Sequence, residues 1–320
     1  MTIPAYPIHP EFGNSEPPVE PCGEWPKISI VTPSFNQAAY LEDTIRSVLS
    51  QGYPNLEYII IDGGSTDGSV EIIKKYEHFL TYWVSEPDNG HGDALNKGFA
   101  RASGDILAWL NSDDKYAPWA FSVVGDILSQ RKDVHWLVGR TGVWDIDGRL
   151  VNVQTVNKNL YDFLIGDFRW IQQESVFFSR DLWLRAGGMI NDQWQFMIDG
   201  ELWCRFFQHE PLWHVPVVLG GYRSHFDNRA IENYEDVLVE MDKAITELRT
   251  AVGKEHLAIA DRLKRFRTVR EWLIRWKLPF SSDLVFRNLF KNTFIKARYS
   301  QLCYMHRKKR WETDSREWLI

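Results

Sequence analysis

The chain predicts an α/β fold in which a parallel sheet carries helices on both faces, and three observations predict it. Short apolar runs alternate with amphipathic stretches of helical period between Lys27 and Gln130. Clusters rich in Gly, Ser, Asn and Asp punctuate the ends of those runs. With 320 residues, 44% hydrophobic and 25% charged, there is ample material for a core.

Residues 1–26 hold seven prolines, a density that forbids regular helix and predicts an extended arm. Lys27–Thr32 (KISIVT) reads as a buried strand, and Tyr40–Gln51 as a helix with Leu41, Ile45, Val48 and Leu49 on one face. Leu56–Asp62 (LEYIIID) is a second strand, closed by a glycine-rich turn over residues 63–68. Ser69–Tyr76 follows as helix, Phe79–Val84 as strand, His91–Ala102 as helix, Asp105–Leu110 as strand and Pro118–Gln130 as helix. Beyond Val134–Gly139 the pattern shifts. Thr141–Val153, with its Asp147-Gly148 turn signal, predicts a hairpin. Ile171–Ser179 reads as strand, Asp199–Gln208 as helix and Leu212–Arg223 as strand-rich. From Tyr234 to the C-terminus the chain reads as mostly helical, broken near Gly253 and Pro279.

Four polar clusters fall where strands should end, the edge at which open α/β sheets bind ligands. They are Thr32–Asn36, Asp62–Gly68, Ser85–Gly90 running into Asp93 and Lys97, and Asn111–Asp114. The last is the most telling, because the apolar run before it delivers two adjacent carboxylates, Asp113 and Asp114. Such a pair repels itself unless it meets a cation or shares a proton. Its hard oxygen donors suit Mg²⁺ or Mn²⁺ held together with substrate phosphates.

The ordered run KISIVTPSFNQAAYLEDTIRSVLSQGYPNLEYIIIDGGSTDGS, then SEPDNG-x-x-DALNKG, then WLNSDD, resembles the family 2 glycosyltransferases over residues 27–225. More narrowly, it is similar to the bacterial branch that builds surface polysaccharides. The resemblance implies a GT-A fold, with a Rossmann-like nucleotide-binding core, a mixed sheet and here a helical C-terminal extension. It also implies a divalent metal (Mn²⁺ or Mg²⁺) and inverting transfer from a nucleoside-diphosphate sugar to a saccharide or lipid-linked saccharide. A UDP-sugar comes first among donors, though Gly63 replaces a second acidic residue that often reads the uracil imide, which leaves the base open. Thr32, Ser34 and Phe35 would line the nucleoside pocket, Phe35 against the base, and Asp62 would meet base or ribose. Asp88, Asp93 and Lys97 would lie near the donor. Asp113 would face the ribose and Asp114 ligate the metal, Asn111 being neutral where the motif begins with an acid. Asp199 falls on the position of the catalytic base and Glu201 is the alternative. His225 would return to the metal or diphosphate, while Trp170 and Gln173 would sit on the acceptor side. The implied organisation is an N-terminal arm (1–26), a catalytic domain (27–228, divided near 115 into nucleotide-sugar and acceptor halves) and a basic extension (229–320). Two rivals stay open: a sugar-nucleotide pyrophosphorylase, whose glycine-rich basic loop TPSFNQ lacks, and a catalytically silent nucleotide-sugar-binding relative.

Composition narrows the setting. Three dispersed cysteines make a disulfide framework or zinc site unexpected and point to a cytoplasmic protein. Neither a signal peptide nor a membrane span is read from the sequence. The net charge of −6 conceals residues 254–310, with 16 Lys/Arg against 4 Asp/Glu. RLKRFRTVREWLIRWK (262–277) and the later Phe286, Leu289, Phe290, Phe294 and Arg307–Arg310 fit either of two roles. One is a helical appendage packed on the body. The other is a peripheral contact with the inner face of an anionic membrane. No nucleic-acid motif accompanies the charge. The 15 Trp, 12 Tyr and 18 Phe are expected chiefly in the core.

Overall fold

A computed structural model describes residues 24–155, 157–167, 171–224, 233–275 and 297–314. All but the last three residues of the proline-rich arm lie outside that range, as do Trp170, His225 and the aromatic run Phe286–Phe294.

The first half builds β1 (Ile28–Ser34), α1 (Ala38–Leu49), β2 (Leu56–Asp62), α2 (Ser69–Tyr76), β3 (Tyr82–Ser85), α3 (His91–Arg101), β4 (Ile106–Trp109), β5 (Lys115–Tyr116) and α4 (Ala120–Gln130). The second builds β6 (Trp136–Trp144), β7 (Leu150–Gln154), α5 (Leu160–Leu164), β8 (Val176–Ser179), α6 (Arg180–Arg185), α7 (Ile198–Phe206) and β9 (Trp213–Arg223). Then come α8 (Tyr234–Ala251), α9 (Lys254–Arg275), β10 (Ser300–Met305) and β11 (Arg310–Thr313). One mixed sheet runs β11-β10-β9-β6-β8-β4-β1-β2-β3, with β5 paired to β9 and β7 to β6.

Strands β3, β2, β1 and β4 are mutually parallel, and β8 enters antiparallel between β4 and β6. The chain leaves β1 towards β3 and returns to β4 on β1's other side. That reversal opens a crevice at the C-terminal ends of β1 and β4. Strand alternation divides the core cleanly. Val31, Ile59, Ile61 and Trp109 join α3 and α7 on one face; Ile28, Ile30, Tyr58 and Ile60 join α1 and α4 on the other. Aromatics form much of the first layer, where Trp109 stacks on Trp203 at 5.6 Å and Trp203 on Trp136 at 5.7 Å.

Helix α3 lies so close to β1 that a Cβ on Gly98 would stand 2.3 Å from Val31 Cγ1. Gly98→Ala is therefore expected to cost about 1–3 kcal/mol through overpacking. A urea midpoint matching that of the parent protein would show that α3 can lift without penalty.

Three readings of the sequence change. Val134–Gly139 and the first arm of the predicted hairpin are one strand, β6, which pairs with β7 around the Asp147-Gly148 turn. Only Val176–Ser179 of the strand expected from Ile171 is extended, because Gln173–Ser175 form a 3₁₀ turn. Residues 300–313 are not helix. They form a hairpin that joins the sheet through Ser300 and Gln301 against Trp213 and His214 of β9. Trp311 seals it by donating its indole N–H to Asp126 Oδ2 at 2.8 Å.

Candidate active site

The crevice is framed by a tight turn after β4. Leu110 N–H still bonds Val31 O (3.0 Å), and Asp114 N–H then closes on Asn111 O (3.1 Å). Thr44 of α1 shares its hydroxyl between Ser112 O (2.9 Å) and Asp114 O (2.8 Å). Arg223, at the end of β9, grips from the other side: its Nε donates to Asp113 O (2.9 Å) and its backbone N–H to Asp114 Oδ1 (3.0 Å). The guanidinium is itself fixed by Asp43 at 2.8 Å, and Asp43 also pairs with Lys115 at 2.9 Å. Asn111 Nδ2 reaches Asp114 Oδ2 at 3.2 Å. The neutral residue at the head of the motif thus supports the carboxylate behind it.

Asp114 is only 4% exposed. Burial first, then the charges of Asp113 and Glu174, hold its carboxyl well above the usual carboxylate range. Glu174, in the 3₁₀ turn before β8, lies within reach of this field and that of Asp199, and burial pushes it up to about 7. Asp199, in the first turn of α7, is raised by burial to about 6. Four carboxylates from three segments, the Asp113–Asp114 turn, the turn before β8 and the start of α7, are thus linked electrostatically through Glu174.

The Asp113–Asp114 pair suits a hard divalent cation, which would relieve its repulsion, and Asn111 Oδ1 beside it is a buried oxygen with no hydrogen-bond partner. Among the described residues no group of three or more His, Cys, Asp or Glu is arranged to hold a metal unaided. A cation here would need substrate oxygens to complete its shell.

On the nucleotide side the expected residues separate into two kinds. Phe35 is 60% exposed beside the crevice and free to receive a flat ring. Ser34 keeps a buried hydroxyl without a partner. Thr32 instead turns into the core, where its hydroxyl meets Tyr58 OH at 3.1 Å, so it does not line a pocket. Asp62 is also occupied: it accepts Ser65 N–H (2.9 Å), Ser65 Oγ–H (2.6 Å) and Ser85 Oγ–H (2.7 Å), organising its own turn. Asp93 holds Asn89 N–H at 3.0 Å, and Lys97 pairs with Glu86 (3.2 Å) and Asp93 (3.4 Å). Both serve the loop that presents Asp88. Gly63 proves informative: a Cβ there would stand 2.7 Å from Asp88 Oδ2. Asp88 lies against the space that a side chain at 63 would take.

At the start of α7, Asp199 Oδ1 accepts the Gly200 N–H at 2.7 Å. Glu201 is committed elsewhere. Arg205 clamps it through two bonds of 2.8 Å and also bonds Met189 O at 2.9 Å, which ties α7 to the preceding loop. Gln173 is buried beside Glu174. Trp170 and His225 lie outside the described residues. Two contributors escaped the sequence reading, Glu174 and the Arg223 clamp. An arginine ending the apolar strand Leu212–Arg223 was the available signal for the second.

Residues 29–184 match the family described as Glycosyl transferase family 2. An uncharacterized glycosyltransferase of Mycobacterium tuberculosis is 36% identical over 172 residues, a match covering 51% of this chain and 62% of that protein. A Bacillus subtilis protein provisionally named as a teichuronic acid biosynthesis glycosyltransferase, TuaG, is 43% identical over 94 residues, or 28% of this chain and 37% of that one. The chain therefore spans less than two thirds of the length of these curated relatives. Among solved structures, S. aureus TarS 1–349 in complex with UDP-GlcNAc matches with a TM-score of 0.60, covering 83% of this chain and 80% of that one. At 14% identity this is a likeness of fold.

Proposed function

From the match of residues 29–184 to glycosyl transferase family 2 and from the GT-A fold, we propose that the chain moves a sugar from a nucleoside diphosphate to an acceptor hydroxyl with inversion. The observation that supports this reading is that Glu174 lies within electrostatic reach of both the Asp113–Asp114 turn and Asp199, which brings the two together at the crevice. Asp199, raised to about 6, is poised to be ionised yet basic near neutral pH. It would take the acceptor's proton as the hydroxyl oxygen attacks the anomeric carbon from the face opposite the leaving diphosphate. Asp113 and Asp114 would hold a divalent ion, Mn²⁺ or Mg²⁺, which when bound supplies positive charge to the departing phosphates. Arg223 keeps those carboxylates in place from behind.

The nucleoside would lie over Phe35, with Asp88 taking the role that a carboxylate after Asp62 would have had. UDP is the first nucleotide to test, since TarS binds UDP-GlcNAc. Asp88→Asn is expected to weaken UDP binding about 10–100-fold, the worth of a charged hydrogen bond, and Gly63→Asp to do the same by colliding with Asp88. Isothermal titration with UDP and Mn²⁺ checks both; parental affinity in the two variants would remove Asp88 from the pocket.

The name of TuaG supports a role in polysaccharide or glycoconjugate synthesis. An anionic membrane surface fits the exposed residues Arg262, Arg265, Val269 and Trp272, which follow at helical spacing on α9. Among the described residues no helix is long and apolar enough to cross a membrane. Arg262→Glu with Arg265→Glu should therefore reduce pelleting with phosphatidylserine vesicles, and unchanged pelleting would leave α9 as a packed appendage.

A further inference from the structure

Gln173 and Glu174 are adjacent, 6% and 5% exposed, and largely unsatisfied. Neither polar atom of the Gln173 amide makes a well-formed hydrogen bond, although the amide lies near enough to Glu174 to favour the ionised carboxylate, and Glu174 Oε2 makes none. Buried polar groups in folded proteins are nearly always paired, so three orphans on two neighbouring side chains call for an absent partner.

The turn that carries them is rigid. Ser175 Oγ donates to Gly220 O at 3.0 Å and lies 3.3 Å from Thr141 Oγ1, which fixes the turn to β9 and β6. Position 220 is glycine because a Cβ there would come within 2.1 Å of Glu174 O. Packing has thus locked two side chains into a conformation in which their own hydrogen bonding is incomplete. Such preorganisation is characteristic of a binding subsite.

Location says what would bind. Gly220, against which Glu174 packs, pairs with Tyr116, two residues beyond Asp114, and Glu174 is within electrostatic reach of Asp113, Asp114 and Asp199. In the function proposed above, the diphosphate leaves from the Asp113–Asp114 side and the acceptor approaches from Asp199. The ring being transferred occupies the space between them.

We infer that Gln173 and Glu174 form a hydroxyl-recognition pair that reads the transferred sugar of the donor. Glu174 accepts from one hydroxyl, while the Gln173 amide donates to and accepts from its neighbour. This moves Gln173 from the acceptor side to the donor sugar, and it rests on the glycosyl-transfer reading. The pair would also set which sugar is used, because a site built to hydrogen-bond a hydroxyl rejects an analogue lacking it.

Gln173→Met and Glu174→Met, apolar replacements of similar length, test the inference. Affinities for UDP and GDP, and for UDP-glucose, UDP-galactose, UDP-GlcNAc and GDP-mannose, are measured with Mn²⁺. The expected result is at least about a tenfold loss for the sugar nucleotide that the parent protein binds best, with unchanged affinity for its bare nucleoside diphosphate. Retained diphosphate binding also reports that the variants fold. Equal losses for diphosphate and sugar nucleotide would make the pair structural and overturn the inference. Unchanged affinity for both would overturn it as well. A parent protein that binds no nucleoside diphosphate would instead overturn the glycosyl-transfer reading, and this inference with it.

Discussion

Asp199→Asn should lower glycosyl transfer by about 10²–10⁴-fold while leaving nucleotide affinity within a small factor. The amide keeps the shape of the side chain and cannot accept a proton. In the parent protein the rate should fall tenfold per pH unit below about 6, where burial has placed the Asp199 carboxyl, and the variant should lose that limb. Stability should move the other way. The folded carboxyl sits above its unfolded value of 3.8, so its ionised form weighs against the fold at neutral pH. As pH drops through 6 the folded state takes up the proton and the penalty fades, vanishing once the unfolded chain is protonated below 4. Asp199→Asn is thus expected to raise the unfolding free energy at pH 7.5 by up to about 3 kcal/mol and to leave it unchanged near pH 3. A side chain that merely capped α7 would give a destabilised variant at both.

Asp114→Ala should abolish transfer and remove any gain in donor affinity produced by Mn²⁺. The reason lies in the packing around the turn. Asp114 Oδ1 is held by the Arg223 backbone and Oδ2 by Asn111, so the carboxylate's direction is set before any ligand arrives. Because burial and the neighbouring Asp113 and Glu174 charges disfavour its ionised form, relief of that cost should offset part of the loss of its hydrogen bonds to Arg223 and Asn111 in the absence of metal. Calorimetric titration of donor with Mn²⁺ and with a chelator separates the effects. A variant with parental, metal-responsive binding would exclude Asp114 as a ligand.

Much of this was legible in the chain because strands buried on both faces leave a strong imprint. KISIVT and LEYIIID read directly as β1 and β2, and the apolar run before WLNSDD placed Asp113 and Asp114 at a strand end. Period-two alternation, however, does not say what a polar residue faces, and Thr32 met Tyr58 instead of a ligand. Asp62 and Glu201 carry the right chemistry at the right sequence positions, yet nearby serines and Arg205 claim them. Glu174 was hidden for the converse reason. Its backbone packs against Gly220 on β9, and nothing in QQES signals that distant contact. The β10–β11 hairpin was missed because its closing contacts, Trp311 with Asp126 and Ser300 with Trp213, are also long-range. Gly63 looked like a departure that weakened base recognition; beside Asp88 it marks where a neighbouring carboxylate comes close.

Proton NMR of the protein incubated with a nucleoside-diphosphate sugar and Mn²⁺ tests the central claim most directly. The signal followed is the anomeric configuration of the first-formed product. Asp199-dependent release of the diphosphate with an inverted anomer is the predicted result. Release with retained configuration, or at the same rate in Asp199→Asn, would contradict it.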